Sequence, residues 1–233
     1  IMQFVQNFQV AVVPQINKLY ALNDLDGVNR LIMRSSKFSF LLVFIISLPI
    51  LMETRPILEL WLKDVPNYGV VFVQLIIVVT LTELLSGTLV YGAIATGDIK
   101  KYQITISSIY LLTLPILYLI FKMGVPPQYL FIVEIGLNII CFIVRLFFLK
   151  KMIRLRINEF LKTIFFREFN VVTIATCCTL VIRNCLSETP IGIILVILFS
   201  IITSVVFSIL WGLSKEERSW LLAIVTNRLR HNK

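Results

Sequence analysis

The stretch Val70–Ala95, VVFVQLIIVVTLTELLSGTLVYGAIA, carries one charged side chain, Glu83, in an otherwise apolar run. At about 1.5 Å per residue a helix over this stretch is long enough to cross a hydrocarbon core of about 30 Å. No soluble domain needs so long an uninterrupted apolar helix, so this segment sets the fold class: a membrane-spanning helical protein.

Six further segments resemble it. Together with Val70–Ala95 they are Ile1–Leu22, Phe38–Met52, Tyr102–Phe121, Gln128–Leu149, Phe169–Leu186 and Ile191–Leu213, which predicts an all-α polytopic bundle of about seven transmembrane helices. The apolar part at Phe38–Met52 is short, but Leu25, Val28, Leu31 and Ile32 recur before it at helical spacing, so one long helix capped near Asn23 or Asp24 is expected there. Composition agrees. Hydrophobic residues make up 58% of the 233 residues and charged residues 15%, against about 25% charged in a soluble domain. The mean hydropathy is +0.91.

The net charge is +9, and its distribution assigns it to orientation rather than to nucleic acid. Basic residues gather in alternating connections: Lys18, Arg30, Arg34 and Lys37; then Lys100 and Lys101; then Arg145, Lys150, Lys151, Arg154, Arg156, Lys162 and Arg167; then the tail from Lys215 to Lys233. The intervening connections hold only Arg55, Lys63, Lys122 and Arg183. The positive-inside rule places the rich connections and the C-terminus in the cytoplasm and Ile1 outside. Between Glu53 and Tyr68, the run Pro56–Leu62 predicts a short interfacial helix, with Trp61 and Tyr68 at headgroup level. Arg154–Phe166 predicts a basic amphipathic helix on the inner surface. The chain opens at Ile1 inside an apolar segment, which reads as a piece of a longer protein.

Catalytic chemistry is not expected. His231 is the single histidine, and no HExxH, nucleotide-binding glycine loop or carboxylate pair occurs. Cys141, Cys177, Cys178 and Cys185 lack metal-ligand spacing and are expected to be packing residues. No cofactor or metal is expected.

Polar residues inside spans are costly and so carry the functional information. In the first span Gln3, Gln6, Asn7, Pro14, Asn17 and Lys18 fall in an arc of about 120°, opposite Phe4, Val5, Phe8, Val12 and Ile16. Such a face lines a hydrophilic cavity or bonds neighbouring helices. Glu83 sits mid-span with Thr82, Ser86, Gly87 and Tyr91 on its side. It either serves a cation, proton or polar substrate, or bonds a neighbouring helix as a protonated acid. Glu134 suits an interfacial structural role, and Arg145 is expected to snorkel to the headgroups. Gly87, Gly92 and Gly97 are expected at close-packing positions.

Several segments carry a family resemblance. Pro14-Gln-Ile-Asn-Lys-Leu-Tyr-Ala-Leu-Asn-Asp24 resembles a P-x-I-x-K-x-Y-A-x-x-D pattern. Arg34–Phe40 looks like the start of the span after it. Pro49 with Ile57–Pro66 is similar to a P…IL-x-L-W-L…VP segment, and Ala95–Gln103 to an A-T-G-x-I-K-x-Y-Q turn. Gly212–Arg218 matches G-L-x-x-x-E-R. In order and together these resemble the polysaccharide and O-antigen flippases, lipopolysaccharide-biosynthesis proteins of the multidrug/oligosaccharidyl-lipid/polysaccharide exporter superfamily. The resemblance implies the C-terminal lobe of a two-lobed exporter. Residues 1–165 would be part of a six-helix lobe, 166–213 a terminal helix pair and 214–233 a basic cytoplasmic tail, with a missing N-terminal lobe as partner.

The function implied is translocation of undecaprenyl-diphosphate-linked oligosaccharide across the bacterial inner membrane by alternating access. Lys18, Lys37 and Arg34 would then hold the diphosphate. Gln3, Asn7, Asn17 and Tyr91 would bond sugar hydroxyls, and Glu83 would couple an ion. The partners implied are the lipid-linked oligosaccharide and membrane lipids, with no nucleic acid. Two alternatives are a cation-coupled multidrug antiporter of the same superfamily and a non-transporting component of a glycan-assembly complex.

Overall fold

The computed structural model describes residues 2–62, 64–186, 189–214 and 217–219, with the side chains of residues 2–8, 163 and 165 left aside. Every regular element among the described residues is helical: α1 (Met2–Ala21), α2 (Leu25–Met52), α3 (Thr54–Trp61), α4 (Gly69–Ala95), α5 (Lys100–Leu111), α6 (Thr113–Lys122), α7 (Tyr129–Met152), α8 (Ile157–Phe160), α9 (Arg167–Cys185) and α10 (Pro190–Phe207). Wider π-helical turns join α8 to α9 at Leu161–Phe166 and extend α10 through Ser208–Gly212. The chain is a multi-pass membrane protein. Five helical stretches are long and apolar enough to cross a bilayer: Leu25–Met52, Gly69–Ala95, Lys100–Lys122, Tyr129–Met152 and Pro190–Gly212. The other two expected spans form as α1 and α9, of 20 and 19 residues, but fall outside that set. The polar side chains of α1 and the charged first turn of α9 separate them from the other five.

The α1–α2 corner follows from its sequence. Asn23 takes a left-handed φ of +58°, with the Asn23 N–H on Tyr20 O at 2.9 Å and the Asp24 N–H on Leu19 O at 3.0 Å. This double bond pattern is a Schellman stop. The next residue starts the following helix: Asp24 accepts from the Gly27 N–H at 2.8 Å. The long capped helix expected there is therefore formed. At Leu112 the fourth apolar stretch divides into α5 and α6. Pro115 has no N–H to return to the preceding turn, which accounts for the break.

α2 is the centre. It packs on α1, α4, α9 and α10, while α4 packs on α7, and α7 carries α5 and α6. One core joins Ile16, Val28, Ile32, Leu89, Leu149 and Ile153. A second joins Phe40, Phe44, Leu48, Val171, Ala175 and Leu213. α10 meets its neighbours through Gly192, Val196, Ser200, Ser204 and Ser208, every fourth residue and all buried. In lipid, where apolar burial does not favour helix association, small side chains allow the close approach that gives dispersion contact.

The glycines divide by role. A Cβ on Gly92 would lie 2.6 Å from Ile32 Cδ1 and 3.2 Å from Leu149 Cδ2, and one on Gly87 would meet Gln9 Nε2 at 2.9 Å, so both are close-packing positions. Gly97 is not. It has φ +76° with open space around it, and it ends α4 as a left-handed turn.

The short helix expected between Glu53 and Tyr68 forms as α3, with Trp61 exposed. The basic surface helix needs correction. Residues 153–156 are not helical, Arg154 has φ +53°, and the helix starting at Ile157 continues through its π turn into α9. Ile153, Leu155, Phe160 and Ile164 are buried in the main core, so this connection is anchored there by its apolar face.

Candidate functional site

Side-chain pairs mark two regions of the bundle. At one end Arg156 Nη2 meets Asp26 Oδ1 at 2.6 Å, Asn29 Nδ2 donates to Arg154 O at 3.4 Å, and Lys37 pairs with Glu217. At the other, Arg183 Nε meets Glu53 Oε1 at 3.1 Å and Gln74 Nε2 donates to Leu51 O at 3.3 Å. The basic connection at 153–156 therefore lies beside the start of α2, where Tyr102 of α5 joins the same core.

At that basic end lies a cavity of about 640 Å3 between the start of α2 and the segment after α10, lined by Arg30, Arg34, Lys37, Asp24, Ser214 and Glu217, among others. Two helical turns set the cations. Arg30, Arg34 and Lys37 follow at i, i+4 and i+7, which places them on one face of α2. Lys37 is almost fully buried, with its side chain 3% exposed, whereas the Arg34 side chain is 44% exposed. Both sit by the Phe38 ring, at 5.7 Å for Arg34 and 6.0 Å for Lys37, within cation–π range. An adjoining apolar groove of about 630 Å3 runs along α1, α2 and α10 past Phe38, Leu42, Ile45, Val205 and Ile209. Leu31 and Arg34 line both spaces.

Glu217 Oε2 accepts from Lys37 Nζ and, at 2.8 Å, from the Ser214 N–H, while Oε1 lies 4.0 Å from Arg34 Nε. Burial pushes the Glu217 carboxyl up, but the Lys37 ammonium and the Ser214 donors outweigh it and hold it below the usual carboxylate range. Glu168, at the start of α9, is 1% exposed, and neither of its oxygens has a hydrogen-bond partner among the described residues.

The expected site residues do not all converge. Arg34 and Lys37 meet, joined by Arg30. Lys18 and Asn17 are exposed on α1, on the face opposite Ile16, which is buried; Lys18 does not line the cavity. Tyr91 packs against the main core. The side chains of Gln3 and Asn7 lie outside the described residues. Glu83 is exposed on α4, one turn before Gly87, the glycine that meets Gln9 of α1. Among the described side chains of α1, Gln9, outside the expected polar arc, is the buried amide.

Arg145 does not snorkel. It is buried, and its Nη1 donates to Ser86 Oγ at 2.8 Å and Ser86 O at 3.4 Å, tying α7 to α4. Nearby, Tyr110 donates to Asn138 Oδ1 at 2.8 Å. The packing role expected of the cysteines holds for buried Cys141, while Cys177 and Cys185 are exposed. Glu217 and Glu168 have no place among the expected residues. Ser214-x-x-Glu217 has the form of a capping box and marks a helix start in the sequence. Its link to Lys37, 180 positions away, has no local signal.

The chain matches no protein-family model, no curated protein and no solved structure.

Proposed function

We propose that this chain is part of a flippase that moves undecaprenyl-diphosphate-linked oligosaccharide across the bacterial inner membrane for O-antigen or capsular polysaccharide synthesis. The observation that carries the reading is Arg34, shared by the basic cavity and the apolar groove. A lipid diphosphate has a compact anionic head on a long apolar tail. Guanidinium and ammonium groups satisfy the head by charge-assisted hydrogen bonds, and a contiguous apolar channel accepts the tail. The positive-inside rule assigns the cavity end to the cytoplasm, where lipid-linked precursors are loaded. The exposed polar face at Asn17 and Lys18 suits a glycan, and alternating access supplies the motion.

Arg34→Ala with Lys37→Ala in the native gene is expected to deplete surface polysaccharide and to accumulate the lipid-linked repeat unit on the inner leaflet. A second reading, cation-coupled drug export, draws on Glu83, an exposed carboxylate in a membrane-spanning helix. Normal surface glycan with heightened drug sensitivity in those variants would favour that second reading and remove the first.

A further inference from the structure

Ser214 and Glu217 close a capping box: Glu217 Oε2 accepts from the Ser214 N–H at 2.8 Å, and Ser214 Oγ accepts from the Glu217 N–H at 3.3 Å. A cap needs nothing more. Yet the same carboxylate oxygen accepts from Lys37 Nζ, and the other lies 4.0 Å from Arg34 Nε. A carboxylate carried by the segment after α10 thus stands among an ammonium, a guanidinium and a backbone N–H. That donor set also suits phosphate oxygens. The Glu217 side chain is 12% exposed, so it fills the inner wall of the cavity rather than decorating its rim.

A second carboxylate lies near the same lysine. Glu168 lies within electrostatic range of Lys37 and is fully buried without a hydrogen-bond donor. A buried carboxylate left unbonded is costly.

We propose that Glu217 is a built-in competitor for the anion site, so that its carboxylate latches onto Arg34 and Lys37 when no anion is bound and is released when a phosphate headgroup takes its place. This rests on the reading of the Arg34–Lys37 cavity as the headgroup site, and adds its regulation. Two consequences follow from mass action. The latch lowers the apparent affinity for the anion by the fraction of chains in which it is open. Binding, in turn, unprotects the backbone of Ser214–Ser219.

The test uses the full chain in phosphatidylcholine nanodiscs. Hydrogen exchange over Ser214–Ser219 is followed with undecaprenyl diphosphate, with uncharged undecaprenol and with inorganic diphosphate, and binding is titrated in parallel. Undecaprenyl diphosphate is expected to speed exchange in this segment about tenfold and undecaprenol to leave it unchanged. Ser214→Ala breaks the cap while keeping both cations, and is expected to bind about five- to tenfold tighter. Glu217→Gln, which preserves the capping geometry and removes the charge, is expected to do the same. Release by inorganic diphosphate as well would support the latch and assign the site to a free anion; release by the lipid alone would support it and assign the site to the lipid. Binding that needs Arg34 and Lys37 but neither moves the segment nor tightens in the two variants overturns the latch and leaves the headgroup site standing. No binding, or binding unaffected by Arg34→Ala and Lys37→Ala, overturns both.

Discussion

Arg145 of α7 donates to Ser86 of α4 at 2.8 Å, in the middle of the paired apolar helices. The bond converts a charge that would otherwise oppose membrane burial into a tie between two spans. Ser86→Ala leaves the guanidinium with the Ser86 carbonyl at 3.4 Å alone. A loss of about 1–3 kcal/mol is expected, read as a lowered midpoint of unfolding by SDS in mixed micelles. In an Arg145→Met background the same Ser86→Ala change is expected to cost far less, because no charge is left behind. Equal costs in the two backgrounds would mean that the bond carries no weight.

Gly92 predicts a packing clash with a specific rescue. Gly92→Ala drives a methyl group to 2.6 Å from Ile32 Cδ1, and overpacking of this kind costs about 1–3 kcal/mol. Ile32→Val removes the offending atom, so the double variant is expected to be more stable than Gly92→Ala alone. Failure of the rescue would assign the damage to Leu149 or Ile153, the other two neighbours.

Gly97 has open space instead and a φ of +76°. Here Ala costs about 1–2 kcal/mol through backbone strain, and Asn, which tolerates the left-handed region, is expected to cost less than Ala. A Val variant as stable as Asn would contradict that conformation.

The Glu217 clasp predicts a pH dependence. Its carboxyl is held below the usual range in the folded chain, against about 4.3 when unfolded. A depressed folded value means the clasp contributes fully above about pH 4.3 and weakens as pH falls through the lower folded value. Protection over Ser214–Ser219, taken against the intrinsic exchange rate at each pH, is therefore expected to fall in acid, and Glu217→Gln to flatten the step. An undiminished step in that variant would assign the titration to another group.

The two ion pairs at the opposite end differ in worth. Glu53 is 6% exposed and its partner Arg183 43%, whereas Arg55 and Glu59 are 76% and 53% exposed. Arg183→Ala strands a buried carboxylate and is expected to cost clearly more than Arg55→Ala, which belongs to the range of about 0–1 kcal/mol for surface pairs. Comparable losses in thermal unfolding would refute the ranking.

Much of the fold is written locally. Apolar run length marks the membrane helices, Asn23-Asp24 marks the corner before α2, and Pro56–Leu62 marks α3, because hydrophobic length, caps and turns act over a few residues. The cation ladder Arg30, Arg34 and Lys37 is equally legible as a helical face. What the sequence leaves open is which polar residues meet. Asn17 and Lys18 share α1 with Ile16 yet face away from the core, Arg145 finds Ser86 rather than the headgroups, and Tyr91 joins the core rather than the cavity. Glu217 and Lys37 lie 180 positions apart and meet only because α10 packs on α2 and brings its end to the middle of that helix. Burial of single apolar side chains is additive and local, so sequence alone determines that this chain is a multi-pass helical bundle. The pairing of buried charges is a property of helices brought side by side, and tertiary structure alone decides it.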